Sequence, residues 1–113
     1  ALMDGREIAD KIEIADGFFS RLRGLLKKDG LDYGEGMLLS PCNQIHTYKM
    51  KFNIDAVFIS KSGEIVHIHE NMEPGIVSKR ISRAYQVLEL RDGAVHDNDI
   101  ILGGRIVFDL LIE

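Results

Sequence analysis

Tryptophan is missing from these 113 residues, cysteine occurs once and proline twice. With only three Tyr and five Phe, the chain lacks the aromatic surface on which nucleic-acid bases stack. Cys42 alone cannot close an internal disulfide, so stability must come from packing, and a reducing compartment is the simpler setting. No apolar run approaches the ~20 residues that a membrane-spanning helix needs. No signal peptide is visible, and a cytoplasmic location is expected. The start, Ala1-Leu2-Met3, leaves export or tethering as the alternative if a leader has been removed. Positive charge is not concentrated either. The net charge is −4, and Lys27-Lys28, Lys49 with Lys51, and Lys79-Arg80 with Arg83 are scattered among acids, so a nucleic-acid partner is not expected.

What remains is an ordinary globular composition, with 45% hydrophobic and 28% charged residues. There is no repeat, low-complexity stretch or linker, so residues 1–113 read as one domain. A chain of this length buries roughly 65% of its unfolded surface on folding. Eleven glycines suit a fold with many turns.

Residues 45–70 are the most informative stretch. A polar loop carrying His46 leads into Ile54–Ile59, apolar on both faces except at Asp55, as in a strand covered on both sides. Ser60-Lys61-Ser62-Gly63 makes a hairpin turn, with Gly63 at the positive-φ position. A second strand then alternates, with Val66 and Ile68 on one face and Ile65, His67 and His69 on the other. Elsewhere Lys11–Ile14, Met37–Leu39, Tyr85–Leu90 and Arg105–Ile112 read as strands. Phe18, Leu22 and Leu25 mark a short helix capped by Asp16. Residues 94–99 suit one helical turn, and Met72–Arg83 reads as a long loop. The expected fold is therefore α+β, a mostly antiparallel β sheet or small barrel with one short N-terminal helix. The main core should be Ile54, Val57, Phe58, Ile59, Val66, Ile68, Val87, Leu88, Ile106 and Phe108, joined by the three helix residues.

Several motifs occur in a specific order. They are Arg21-Leu22-Arg23-Gly24-Leu25-Leu26, Gly36-Met37-Leu38, Met50-Lys51 ahead of the strand with Asp55, Gly63 with the strand after it, and Val87-Leu88-Glu89-Leu90 before Gly93. In this order the chain resembles a prokaryotic family, domain of unknown function 192, from Ile12 to Phe108. With Cys42 and Ile45-His46-Thr47 it looks like a His-Thr subtype. It has Tyr48-Lys49-Met50-Lys51-Phe52 where the common form has Trp-Met-Lys-Asn-Thr. The resemblance implies a small β-rich fold and no settled activity. Some relatives are exported or tethered to membranes.

The residues that could carry chemistry each have a plainer explanation. His67 and His69, one residue apart on a strand, point the same way and could share a divalent transition metal. Glu73 follows as in the first cupin metal motif, but the glycines of that motif are missing, and two solvent-facing histidines are the plainer case. Cys42 and His46 invite a thiol reading, against a simply buried thiol. Asp55 and Glu89 interrupt apolar strands. A buried carboxylate must find donors or a cation. For Asp55 the expected donors are backbone N–H groups of the His46–Phe52 loop, and the functional alternative puts it in a pocket with His46 and Thr47. Glu89 is expected to face solvent unless it serves a site. The candidate ligand-binding set is His46, Thr47, Met50, Asp55 and Glu89, and the candidate metal pair is His67 and His69. The leading expectation is a non-catalytic module without a cofactor, binding a small ligand or a protein through the His46–Lys51 loop and Met72–Arg83. The alternative is a small metal-dependent enzyme.

Overall fold

In the computed structural model, residues 1–15 and 30–108 are described, apart from the side chain of Ala15. The elements are β1 (Leu2–Met3), β2 (Arg6–Glu7), β3 (Lys11–Ala15), β4 (Glu35–Leu39), β5 (Ile54–Ile59), β6 (Ile65–Met72), β7 (Gln86–Arg91), α1 (Ala94–Asp97) and β8 (Ile106–Val107). The expected helix around Phe18, Leu22 and Leu25, and the end of the expected last strand, lie outside the described residues.

Five strands form one open sheet in the order β3-β4-β7-β5-β6. It does not close into a barrel. Neighbours pair antiparallel except β3 and β4, which run parallel. A second sheet, β2-β1-β8, ties the two ends of the chain through Met3↔Ile106 and Leu2↔Val107. β8 falls within the expected strand Arg105–Ile112, whereas the two-residue β1 and β2 carry no periodic signal.

β5 and β7 occupy the middle, which explains their apolar character on both sides. All six residues of β5 are buried, as are Val87 to Leu90 of β7. Val57, Ile59, Leu88 and Leu90 point to one face and join Met3, Ile8, Ile106 and the α1 residues Ala94 and Val95. We call this the N-terminal face. Ala56, Phe58 and Val87 point to the other face and pack under Ile45 and Met50. This loop face is covered by the segments around residues 41–53 and 73–84. Burying each large apolar side chain contributes about 1.5–3 kcal/mol, so two filled faces make the domain.

β5 and β6 form the expected hairpin, and Gly63 has φ 92°. An added Cβ there would lie 2.8 Å from the Ile106 carbonyl oxygen, so glycine serves close approach as well as conformation. The expected alternation along β6 needs correction. Ile59 pairs with Ile65 but Phe58 with His67, and Ala56 pairs with His69 but Ile54 with Met72. Each shift inserts one extra residue into β6, as a β-bulge does. Ile65 and Ile68 consequently share the N-terminal face, while Val66 packs toward the loop face. No described helix is long and apolar enough to cross a membrane.

Candidate functional site

The two segments over the loop face are joined main chain to main chain. The Thr47 N–H donates to the Ile76 carbonyl at 2.8 Å, and the Ser78 N–H to the Ile45 carbonyl at 2.9 Å. His46 and Val77 form a bridge between these bonds. Two buried hydroxyls complete the joint. Thr47 Oγ1 accepts the Ile76 N–H at 2.9 Å and donates to the Glu73 carbonyl at 2.6 Å. Ser78 Oγ accepts the Ile45 N–H at 3.0 Å and donates to the Lys79 carbonyl at 2.9 Å. The Thr47 carbonyl also accepts from Met50 and Gly75. Thr47 is fully buried, and its polar atoms are all engaged in holding backbone. Met50 sits in the apolar layer.

The outward side chains of this joint form a face. His46 stacks on Tyr48 with ring centroids 5.0 Å apart, and in the neutral ring its Nδ1 accepts the Tyr48 N–H at 3.3 Å. Tyr48 and Val77 are about half exposed. Lys49 has φ 64°, a left-handed conformation that lysine adopts at a cost of roughly 1–2 kcal/mol. Lys49, Lys51, Lys79 and Arg80 are exposed, and among the described residues none of them is in an ion pair. Arg83 reaches Glu64 at 3.4 Å.

Asp55 lies on the opposite side of the sheet. Its oxygens accept the N–H groups of Asn71 at 2.8 Å, Gly93 at 3.1 Å and Val95 at 2.9 Å. The expectation of backbone donors therefore holds in kind. The donors come from the β6 bulge and the start of α1, not from the His46–Phe52 loop. Gly93 offers α1 no capping side chain, and Asp55 caps that turn from another strand. It does not join His46 and Thr47 in a pocket. Glu89 pairs across the sheet with Ala56 and Met37, so it faces the loop side and is fully buried. The expectation that it faces solvent fails because both sides of the sheet are covered.

His67 and His69 do point the same way, beside Phe58 and Ala56. His67 sets its edge against the Phe58 ring at 5.3 Å. Partial burial, then the nearby His69 and Lys79 charges, hold the His67 imidazole below its ordinary value of 6.5. Among the described residues, no group of three or more His, Cys, Asp or Glu is arranged to hold a metal. Glu73 is exposed, and Cys42 is partly exposed, its Sγ 3.2 Å from the Gln44 carbonyl oxygen.

A cleft of about 420 Å³ opens on the N-terminal face, lined in part by Glu7, Asp10, Tyr33, Glu35, Arg91 and Asp97. The Arg91 guanidinium lies 3.8 Å over the Tyr33 ring and donates to Asp97 at 2.7 Å. That hydrogen bond, and a second from His96, hold the Asp97 carboxyl below its ordinary value. The cleft joins residues far apart in the chain, so no local pattern marks it.

The same order of strands and motifs extends to known proteins, and residues 2–108 match the family described as "Uncharacterized ACR", DUF192. The chain belongs to this family. Among solved structures, it is similar to a Sinorhizobium meliloti protein provisionally named a transcription regulator. The two are 28% identical, with a TM-score of 0.71 over 83% of this chain and 78% of that one. A Novosphingobium aromaticivorans protein of unknown function shares the fold, at 19% identity and a TM-score of 0.76 over 86% and 74% of the respective chains. No curated protein matches. DUF192 carries no assigned activity, so membership in it names neither a reaction nor a ligand.

Proposed function

We propose that this DUF192 chain is a non-catalytic binding module whose working surface is the face built by residues 46–51 and 73–80. The observation that carries this reading is the Thr47–Ser78 joint. It commits both buried hydroxyls to backbone and leaves His46, Tyr48, Val77 and four basic side chains turned outward. Asp55, the most suggestive acid in the sequence, has both oxygens engaged by main-chain donors. Thr47 and Asp55 thus hold the scaffold, and the exposed side chains of this face suit recognition. A net charge of −4 and the lack of tryptophan speak for a protein partner over nucleic acid. The similarity to a protein provisionally named a transcription regulator makes nucleic acid the competitor to exclude. A lone cysteine fits residence in the cytoplasm.

A photo-reactive amino acid placed at Tyr48 or Val77, in cells of the protein's own host, tests the surface. Ile101, exposed beside β8, is the control. Discrete cross-links from residues 48 and 77 and none from 101 are expected. Equal yields, or cross-links from 101 alone, would overturn the assignment.

The second reading, a metal-dependent enzyme, draws on the shared direction of His67 and His69. The Lys79 charge beside His67 opposes a cation there. Metal analysis of untagged protein separates the readings. Stoichiometric metal, lost in a His67→Ala/His69→Ala variant that still folds, would favour the enzyme.

A further inference from the structure

The proposed binding face has a linear charge pattern, and this pattern defines the partner. Residues 45–47 pair antiparallel with 76–78 through the His46↔Val77 bridge, and a turn closed by the Met50 N–H on the Thr47 carbonyl follows. Lys79 and Arg80 therefore stand at one end of the joint and Lys49 and Lys51 at the other. His46, Tyr48 and Val77 occupy the middle. Within residues 45–51 and 73–83, Lys49, Lys51, Lys79, Arg80 and Arg83 face a single acid, Glu73. The opposite side of the sheet carries the reverse charge. Glu7, Asp10, Glu35 and Asp97 line the cleft on that side with a single base, Arg91. Among the described residues, a chain of net negative charge has thus gathered Lys49, Lys51, Lys79 and Arg80, none of them in an ion pair, onto one surface.

Resting on the binding-module reading, we infer that this face takes an extended, acidic polypeptide segment of a partner protein. Its carboxylates engage Lys79 and Arg80 at one end and Lys49 and Lys51 at the other. An apolar or aromatic residue between them lies against Tyr48 and Val77. Lysine at position 49 fits this use, because its left-handed backbone is one that glycine or asparagine would hold more easily. Nucleic acid fits less well. Among the described residues a single exposed aromatic, Tyr48, lies between the basic ends, its ring already stacked on His46.

Fluorescence anisotropy with labelled peptides tests this directly. The probe is a short peptide of Glu and Asp flanking a central Leu-Tyr, beside its Gln/Asn counterpart and a single-stranded oligonucleotide of equal charge. The acidic peptide should bind at low ionic strength and the amide peptide at least about tenfold more weakly. A Lys79→Glu/Arg80→Glu variant and a Lys49→Glu/Lys51→Glu variant should each lose at least about tenfold in affinity for it. A Lys11→Glu/Arg105→Glu variant, altered away from the face, should bind like the parent. Circular dichroism checks that every variant is folded. Equal binding of acidic and amide peptides, or unchanged binding in both face variants, would overturn the inference. Tighter binding of the oligonucleotide would overturn it in favour of nucleic acid. Peptide-independent dimers that dissociate in the face variants would overturn it in favour of a second copy. Cross-links from Tyr48 and Val77 with no acidic-peptide binding would leave the binding module standing and remove only the acidic partner. Absence of both would remove the two together.

Discussion

A carboxylate inside an apolar strand is costly unless both oxygens are engaged, and Asp55 meets that condition with three backbone N–H groups. Replacing it with Asn keeps the shape but turns an N–H₂ toward N–H donors. Asp55→Asn should cost about 2–4 kcal/mol in urea unfolding, and a loss below about 0.5 kcal/mol would show the carboxylate is not the tie. Thr47→Val keeps shape and removes only the hydroxyl. It should cost about 1–3 kcal/mol and expose residues 73–78 to faster hydrogen exchange, while Thr47→Ser should restore most of the loss. His67 makes a pH prediction. Its folded pKa is depressed below 6.5, so the unfolded chain takes up protons first as pH falls. Its contribution is intact above that value and is lost as pH drops through the folded pKa. His67→Gln should therefore gain on the parent between about pH 7 and pH 5, measured by thermal melting across pH. A constant difference across that range would contradict the assignment.

At the scale of elements, the chain's own pattern exposed β3, β4, β5, β7, the turn at Gly63 and the short turn of α1. Apolar runs bounded by glycine and proline mark these strongly. The bulges of β6 were hidden, because a period of two has no mark for an inserted residue. Their only local trace is Asn71, whose φ of 53° asparagine tolerates better than most residues. Asn71→Val should then cost about 1–2 kcal/mol, a drop of roughly 4–12 °C in melting temperature, and Asn71→Gly much less. Equal losses in the two variants would show that side-chain contacts, not backbone conformation, fix asparagine there. The candidate site was legible in part. His46, Thr47 and Met50 do lie on one loop over one face, and His67 and His69 do point together. Ser78 was missed because a single serine in a loop has no periodic signal. Asp55 and Glu89 were expected near each other's site, yet adjacent register positions on β5 and β7 send them to opposite faces.

At the scale of the molecule, apolar cores fill both faces. The described residues carry acids around the N-terminal-face cleft and bases on the joined loops. Neither loop reveals this alone, since Lys49 with Lys51 and Lys79 with Arg80 are separated by 28 positions of sequence between their nearer members. Only the antiparallel joint at His46 and Val77 makes them one surface. Residue-resolved NMR of the labelled chain, titrated with the acidic peptide, tests that account most directly. Shifts are expected in the amides of residues 46–51 and 75–80, with those lining the Tyr33–Arg91 cleft unchanged. Shifts centred on the cleft, with the joined loops silent, would contradict it.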